Sequence, residues 1–335
     1  MRATDYHVHT ARCGHAGGAT RDYVLQAISR GLDEIAFTDH VPLWFLPGDD
    51  PEPGLAMTRA ELPEYVEEVL ALREEFRGRI DVLLGIEADF AEGHEEGLRE
   101  LLAPYPWDVV LGSVHFVAGG WIDAPGAAAR HEREGSANLW NEYFRLVAKA
   151  AGNGTYDVMT HLDLPKKFGH RRPAECVAAE EAAVEAIRAA GVAVEVSSAG
   201  LRKPVGEEYP EPALLSKLVA AGVPLVFSSD GHAPAEVGWG LPQVVAEAKA
   251  AGATGHVLFR KRRAERHPLS CELDAEGRGD GEREARNAAA AAVADEAGVD
   301  AVPDPAGEVL GRGNGLAELR DLLVEVPVVE RSVDL

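Results

Sequence analysis

The histidines at positions 7 and 9 are the first residues of the chain whose types and spacing could do chemistry. They lie in a short run, 5–10, that is typical of a β-strand. Residues i and i+2 of a strand point to the same face, with Cα atoms roughly 6–7 Å apart. Two imidazoles at that spacing can converge on a metal ion; alternatively, one packs and the other faces solvent. The pair alone leaves both interpretations open.

Further histidines and carboxylates follow at the ends of later apolar runs, or in the loops just after a run. They are His15, His40, Glu87, His115, His161, Asp230 and His232. Singly, each could be a helix cap, a core histidine or a solvated loop residue. Histidines at so many strand ends serve no packing need, and clustered neutral imidazoles would lack partners without a metal. The joint pattern therefore predicts a metal centre.

The predicted ligands are nitrogen and carboxylate oxygen. Cys13 is the one cysteine near these residues, and we interpret it as a free thiol. This ligand set suits Zn²⁺, Mn²⁺ or Fe and argues against a structural cysteine-type zinc site. Catalytic metals typically keep about three protein ligands each, so nine side chains with one shared carboxylate can serve three divalent ions. Asp5, Asp39 and Asp163 are candidates to orient the imidazoles, with surface or capping roles as the alternative.

The elements that must position these residues alternate between strand and helix patterns. The strand patterns cover 5–10, 34–40, 80–86, 107–114, 156–160, 192–196 and 223–229. Apolar strands bracketed by helices imply a parallel sheet covered on both faces. Seven such units suit a closed barrel, related to the eight-fold one, better than an open sheet. In parallel barrels the catalytic residues gather at the carboxyl ends of the strands, which is where the candidate ligands fall.

Composition and charge limit the functions of the chain. Its 335 residues are 46% hydrophobic and 27% charged, with a formal net charge of -23. Such a surface repels nucleic acid and anionic membrane, although metal ions and a few cations can still hold a phosphorylated small molecule. The single basic run, Lys261-Arg262-Arg263, is interpreted as solvating a helix end. The absence of an apolar leader or a run of about 18 apolar residues, and three widely spaced cysteines, predict a cytoplasmic protein.

Two segments stand apart from the alternating pattern. Residues 118–138 are Gly- and Ala-rich and longer than a typical connection, which makes them a candidate active-site loop. From about Pro268 the chain becomes rich in Gly, Ala, Asp and Glu. We therefore predict a barrel over 1–268 and a C-terminal extension over 269–335 that is mostly disordered or loosely docked.

The candidate ligands resemble the motifs of the polymerase-and-histidinol-phosphatase (PHP) superfamily, in order and in spacing, over residues from about 5 to 235. The matching pieces are His7-Val8-His9-Thr10, Cys13-Gly14-His15, Phe37-Thr38-Asp39-His40, Gly85-Ile86-Glu87, Gly112-Ser113-Val114-His115, Thr160-His161 and Ser229-Asp230-Gly231-His232. The resemblance implies a distorted seven-stranded (β/α)7 TIM-like barrel, the PHP fold, with a trinuclear site. In that pattern one metal is held by His7, His9, Glu87 and Asp230, the second by Glu87, His115 and His161, and the third by His15, His40 and His232.

Two other segments resemble the histidinol-phosphate phosphatase branch of that superfamily. They are His161-Leu162-Asp163-Leu164-Pro165-Lys166-Lys167-Phe168 and Gly200-Leu201-Arg202-Lys203-Pro204. By this resemblance, Arg202 and either Lys166 or Lys167 would hold the substrate phosphate. The chain departs from the branch at Ser197-Ser198-Ala199-Gly200, where the family carries Asn-Thr-Ser-Gly, so a contact by the asparagine amide is not carried over.

The resulting hypothesis is a metal-dependent phosphatase that hydrolyses L-histidinol phosphate, a small phosphate monoester. A hydroxide bridging two metals would attack phosphorus, with His7, His9, Glu87 and Asp230 at the reacting centre. Arg202 would neutralise the phosphoryl oxygens, since its planar fork matches phosphate. For the rest of the substrate, Phe116, Trp121 and Asp123 are candidate contacts. Core packing is the alternative for the two aromatic residues.

Two other functions compete with this hypothesis. A PHP-type phosphodiesterase, nucleotide phosphoesterase or exonuclease would need a basic track for nucleic acid, and the strongly acidic composition disfavours one. A non-catalytic metal-binding module is disfavoured because all nine ligand positions are filled.

Overall fold

Seven strands form one parallel sheet in the computed structural model, which describes residues 1–124 and 126–269. The strands of the described residues are β1 (Thr4–Val8), β2 (Glu34–Phe37), β3 (Asp81–Asp89), β4 (Val109–Ser113), β5 (Phe116–Val117), β6 (Gly120–Trp121), β7 (Val158–Met159), β8 (Ala193–Ser197), β9 (Leu225–Ser228), β10 (Gly255–Arg260) and β11 (Arg263–Pro268). The parallel sheet has the order β1-β2-β3-β4-β7-β8-β9. The predicted seven-stranded α/β barrel is confirmed.

Helices between successive strands cover the outside of the sheet. They are α1 (Thr20–Ser29), α2 (Glu61–Glu75), α3 (Glu95–Leu102), α4 (Ala127–Arg130), α5 (Ser136–Gly152), α6 (Val177–Ala190), α7 (Pro212–Ala220) and α8 (Leu241–Ala250). Among the described residues, no helix combines the length and apolar character needed to cross a membrane. The loop predicted over 118–138 contains α4 and a π-helical turn, His131–Gly135, that leads directly into α5.

The first and last strands of the sheet meet and nearly close the barrel. The backbone N–H of His9 donates to the carbonyl of Gly231 at 2.9 Å, and the N–H of Gly231 donates to the carbonyl of His7 at 3.1 Å. A parallel bridge pairs Val8 with Gly231. Since closure joins the last residues of β1 to the residues just after β9, it brings the carboxyl ends of both strands to the same rim.

Alternating side chains divide the core into an inner and an outer part. In β4, Val109 and Leu111 lie in the inner cluster and Val110 lies in the outer one. Strand β1 breaks this alternation, because Tyr6 is inside and Val8 is outside. The pairing register between β1 and β2 shifts between Asp5 and Val8, which is the mark of a β-bulge. Bulges of this kind re-aim side chains beside functional sites.

The β10–β11 hairpin closes the end of the barrel where the strands begin. Val257, Leu258 and Phe259 lie in the inner cluster. The guanidinium of Arg260 contacts the carboxylates of Glu34 and Asp81 at the start of β2 and β3. These apolar residues of the hairpin therefore plug the barrel.

The basic run 261–263 comprises the turn of this hairpin and the first residue of β11, so the interpretation that it solvates a helix end is wrong. Arg262 lies 2.9 Å from Asp157, and its backbone N–H donates to the carbonyl of Asp108 at 2.8 Å. The predicted extension, 269–335, lies outside the described residues, except that Leu269 is buried against the barrel.

We expect Phe259→Ala to lower the free energy of unfolding by about 3–5 kcal/mol, because it empties a filled position in the barrel interior. Denaturant unfolding monitored by circular dichroism measures the change. Glu265→Ala, an exposed residue of β11, is the matched control and should change stability by less than about 0.5 kcal/mol. Equal effects of the two substitutions would contradict the plug.

Candidate metal centre

Four side chains from three strand ends meet at the rim where the barrel closes. The Nε2 atom of His7 lies 3.3 Å from Oε2 of Glu87 and 3.7 Å from Oδ1 of Asp230. The Nε2 atom of His9 lies 3.1 Å from Oδ1 of Asp230 and 3.7 Å from Oε2 of Glu87. Two ligands bound to one tetrahedral zinc ion at about 2.1 Å are about 3.4 Å apart. These four groups therefore fit the shell of a single ion.

The atoms that face one another here lie close to charged neighbours but form no hydrogen bond of ordinary geometry in the described chain. They are Nε2 of His7, Nε2 of His9 and Oε2 of Glu87, and all three are buried. Buried polar atoms in folded proteins are nearly always hydrogen-bonded, so three unpaired atoms in one cluster need an explanation. A divalent cation between them satisfies all three, and the site therefore fits a metal.

Both carboxylate oxygens of Glu87 are surrounded by imidazoles. Oε1 lies 3.1 Å from Nε2 of His161 and 3.7 Å from Nε2 of His115. Oε2 lies 2.9 Å from Nδ1 of His40. Since the two oxygens face different histidines, this carboxylate can bridge two ions.

The remaining predicted ligands lie at the outer side of the same rim. The rings of His15 and His232 are stacked, with centroids 4.8 Å apart. Ligand atoms of His9, His40 and His232 lie within 4.8 Å of one another, and so do those of Cys13, His15 and His232. The fold thus brings all nine predicted ligands to one end of the barrel.

Three carboxylates lie within hydrogen-bond distance of the Nδ1 atom of three of these imidazoles. Nδ1 of His7 lies 2.7 Å from Glu195, Nδ1 of His115 lies 2.9 Å from Asp89, and Nδ1 of His9 lies 3.3 Å from Asp39. A hydrogen bond to one ring nitrogen fixes the tautomer and leaves the other nitrogen free to bind metal.

The sequence predicted the orienting role for Asp39 and admitted one for Glu195, which lies within the strand pattern 192–196, but it did not point to Asp89. Asp89 could have been found from its spacing, because it stands two residues after Glu87 in β3 and shares its face. Asp5 and Asp163, which the sequence also predicted to orient imidazoles, make other contacts. Asp5 accepts hydrogen bonds from the backbone of Ser229 and Gly238, and Asp163 forms an ion pair with Lys166.

The carboxylates and imidazoles shift each other's pKa values in opposite directions. Burial alone would lower the pKa of His7, but Glu87, Glu195 and Asp230 raise it well above its ordinary value. Burial alone would raise the pKa of Glu87, but His7 and the other imidazoles hold it well below its usual range. The cluster therefore stabilises positive charge between its carboxylates, as a cation site requires.

A cavity of about 460 Å³ opens above these residues. Its volume is typical of small-molecule sites. Besides candidate ligands, it is lined by Leu43, Gly54, Leu55, Asp89, Trp121, Asp123, Ala124, Leu164, Lys167, Lys203 and Tyr209. The ammonium group of Lys167 lies 3.0 Å from the carboxylate of Asp123. Lys203 was missed by the sequence reasoning, although it directly follows Arg202.

Phe116 and Lys166 do not line this cavity. Phe116 packs edge-on against Trp121, with ring centroids 5.3 Å apart, and so contacts a residue that lines the cavity. Lys166 is 1% exposed. Its ammonium lies 2.8 Å from Asp163 and 3.0 Å from Glu207. Two carboxylates therefore already pair with the ammonium of Lys166, which the resemblance predicted to contact the phosphate.

Arg202 also lies outside the cavity lining, and it holds the loop after β9. Its Nη2 donates to the carbonyls of Ser229 at 2.8 Å and Asp230 at 3.2 Å. Its Nε lies 3.4 Å from Glu236, and Glu236 accepts the backbone N–H of His232 at 2.8 Å. Asp230 has a φ of 50°, a left-handed conformation that non-glycine residues keep only when the surroundings enforce it.

Comparison with known proteins assigns the chain to a family. The model of the PHP domain matches residues 5–199. The chain belongs to the PHP family. A Deinococcus radiodurans protein described as a probable histidinol-phosphatase is 41% identical over 261 residues, covering 77% of this chain and 97% of that protein. The Bacillus subtilis histidinol-phosphatase is 29% identical over 266 residues, covering 71% and 97%.

A solved PHP-family neighbour confirms the fold. The Lactococcus lactis histidinol phosphate phosphatase, crystallised with zinc, L-histidinol and phosphate, superposes with a TM-score of 0.67. It is 20% identical and covers 79% of this chain and 99% of that one. The resemblance predicted from the motifs is thus confirmed at the level of family and fold.

We expect Glu195→Gln to weaken metal binding by about 10–100-fold, because the carboxylate that orients His7 loses its charge. Its backbone partner, the N–H of His161 at 2.9 Å, would face an amide instead. Metal content after dialysis against graded chelator concentrations measures the effect. Glu185→Gln, an exposed change on α6, is the control, and matching metal retention in both variants would contradict the orienting role.

We expect Arg202→Gln to weaken metal binding by about 10-fold, because the turn that presents Asp230 and His232 loses two carbonyl contacts. Arg202→Lys should fall between, since an ammonium group cannot reproduce the planar fork. The same chelator titration measures both, with Arg188→Gln on α6 as the exposed control. Unchanged metal retention together with weakened phosphate binding would instead support the phosphate contact predicted from the resemblance.

Proposed function

We propose that this chain is a histidinol-phosphatase, a phosphoric monoester hydrolase that converts L-histidinol phosphate and water into L-histidinol and phosphate. The observation that carries the proposal is the combination of a buried histidine–carboxylate cluster with a small-molecule cavity. The Bacillus subtilis histidinol-phosphatase matches this chain over 97% of its own length, which supports the proposal. A cytoplasmic location stays a prediction from the sequence.

We further propose that the rim holds three divalent ions, of zinc, manganese or iron. His7, His9, Glu87 and Asp230 would hold one, Glu87, His115 and His161 the second, and His15, His40 and His232 the third. The unpaired buried atoms of His7, His9 and Glu87 support this assignment. When bound, divalent ions of this kind lower the pKa of water towards about 7 and neutralise phosphoryl charge.

The protein's own residues prepare the site for an anionic ester. Glu195, Asp89 and Asp39 fix the Nδ1 side of three imidazoles, which leaves their Nε2 atoms directed into the rim. Glu87 offers one oxygen to each side. Preorganised groups of this kind need no rearrangement when charge develops on the substrate.

The substrate contacts follow from which side chains reach the cavity. We propose that Lys167 binds the phosphate, since this residue lines the cavity and its ammonium lies beside Asp123, another residue of the lining. Arg202 would contribute by holding the Asp230 turn, and Lys166 by supporting the residues around it. Phe116 would support Trp121 as an aromatic wall for the imidazole of the substrate.

The described surface does not support the alternative hypothesis of a nuclease. The basic run 261–263 lies in the hairpin at the end of the barrel opposite the rim. There Arg262 is paired with Asp157, so the run offers no continuous track to the cavity for a nucleic-acid backbone.

The deciding experiment measures phosphate release from L-histidinol phosphate, a mononucleotide and a short single-stranded DNA, each with and without a chelator. We expect turnover of L-histidinol phosphate to exceed the others by at least about 100-fold and to disappear on chelation. Comparable turnover of all three would refute the substrate assignment.

Substitution of the proposed ligands tests the metal assignment. His7→Ala and Asp230→Ala should each lower kcat/KM by at least about 100-fold, because each removes a ligand and leaves the opposing buried groups unpaired. His94→Ala, at an exposed histidine that does not line the cavity, is the matched control. Wild-type activity in either ligand variant would exclude the proposed mechanism.

A further inference from the structure

The hydroxyl group of Tyr209 is a buried donor that the proposed chemistry has not used. Tyr209 is 2% exposed, and it is one of the residues that line the cavity. Its hydroxyl has no hydrogen-bond partner among the described residues. A buried polar group without a partner destabilises the fold, so its retention in a cavity wall points to a ligand.

The backbone fixes the position of this tyrosine. At the last residue of β8, Ser197 and Tyr209 exchange two backbone hydrogen bonds, of 2.7 and 3.0 Å. The segment before Tyr209 lies directly against Gly200. A Cβ atom added at Gly200 would collide with the carbonyl oxygen of Glu207. Tyr209 is therefore held against the turn that follows β8, on the catalytic side of the barrel.

Side chains fix the ring in the same place. The ammonium of Lys166 lies 5.2 Å from the ring centre, within the range of a cation–π contact. On another side, the ring of His161 stands edge-on with its centroid 6.4 Å away. Since backbone and side chains both hold the ring, the hydroxyl cannot turn away to find a partner elsewhere.

We infer that the Tyr209 hydroxyl donates a hydrogen bond to a phosphoryl oxygen of the substrate. The inference rests on the proposed phosphatase function and adds a substrate-binding residue to it. An ordinary tyrosine is protonated at neutral pH and so presents a donor. Phosphoryl oxygens are strong acceptors, and a hydrogen bond to a charged group is stronger than a neutral one.

This assignment gives Lys166 a role that differs from direct phosphate binding. Besides the two carboxylates near it, its ammonium donates a hydrogen bond to the carbonyl of Glu208 at 2.6 Å. Lys166 thereby ties down the residue before Tyr209 and supports the ring. Lys166 is a positioning residue in this arrangement, and the tyrosine hydroxyl is the group that reaches the substrate.

The test is Tyr209→Phe in the metal-loaded full chain. The substitution removes one oxygen atom and keeps the ring over Lys166. We expect the dissociation constant for inorganic phosphate, measured by calorimetry, to rise about 10-fold, and kcat/KM for L-histidinol phosphate to fall about 10–100-fold. Metal content should be unchanged. The melting temperature without phosphate should equal or exceed that of the wild type, because the unpaired hydroxyl is gone.

Tyr105→Phe is the matched control. It removes the same atom from a half-buried tyrosine outside the cavity lining, and it should leave phosphate binding and turnover unchanged. Wild-type phosphate affinity in Tyr209→Phe would overturn the inference. So would a lower melting temperature, lost metal or failure to fold, since each would show that the hydroxyl serves the structure and not the ligand.

Failure of this inference can be separated from failure of the proposed function. If the wild type releases no phosphate from L-histidinol phosphate, yet Tyr209→Phe weakens inorganic phosphate binding, the substrate is wrong and the role of Tyr209 stands. If the wild type hydrolyses L-histidinol phosphate and Tyr209→Phe matches it in both assays, the function stands and the role of Tyr209 is refuted.

Discussion

The carboxylate of Glu87 is the charge around which the rest of the structure is arranged. It is 1% exposed and lies within 3.7 Å of five imidazoles: His7, His9, His40, His115 and His161. A buried carboxylate is stable only when nearby charge or hydrogen bonds compensate for lost water. Strand β3, the longest of the sheet, carries it to the rim, where four other chain segments supply that compensation.

Much of the fold and of the rim could be predicted from the sequence, because both follow from periodicity. Seven apolar runs separated by helical patterns define the barrel, and the rule that parallel strands end at one rim gathers His40, Glu87, His115 and His161. The bulge in β1 could not be predicted. Strict alternation puts Tyr6 on the same face as Val8, and only the register shift against β2 separates them.

Side-chain direction outside the strands was the other limit of prediction. Lys166 and Arg202 lie in 3₁₀ turns just after strand ends, Leu164–Phe168 and Ala199–Arg202. In such turns, neighbouring residues diverge, so proximity to the rim does not say which side chain enters the cavity. The structure turns Lys167 and Lys203 towards it and turns the residue before each of them into the surrounding protein. The hairpin was missed for a related reason, since its apolar face is only three residues long.

His161 and Asp230 both have left-handed backbone conformations, with φ of 26° and 50°. Glycine would adopt such a conformation more easily, but glycine has no side chain to offer a metal. Selection for stability and selection for chemistry therefore oppose each other at these two positions. A selection for more stable variants of this barrel would favour glycine at both positions. Each such substitution would remove a side chain that is proposed to bind a metal.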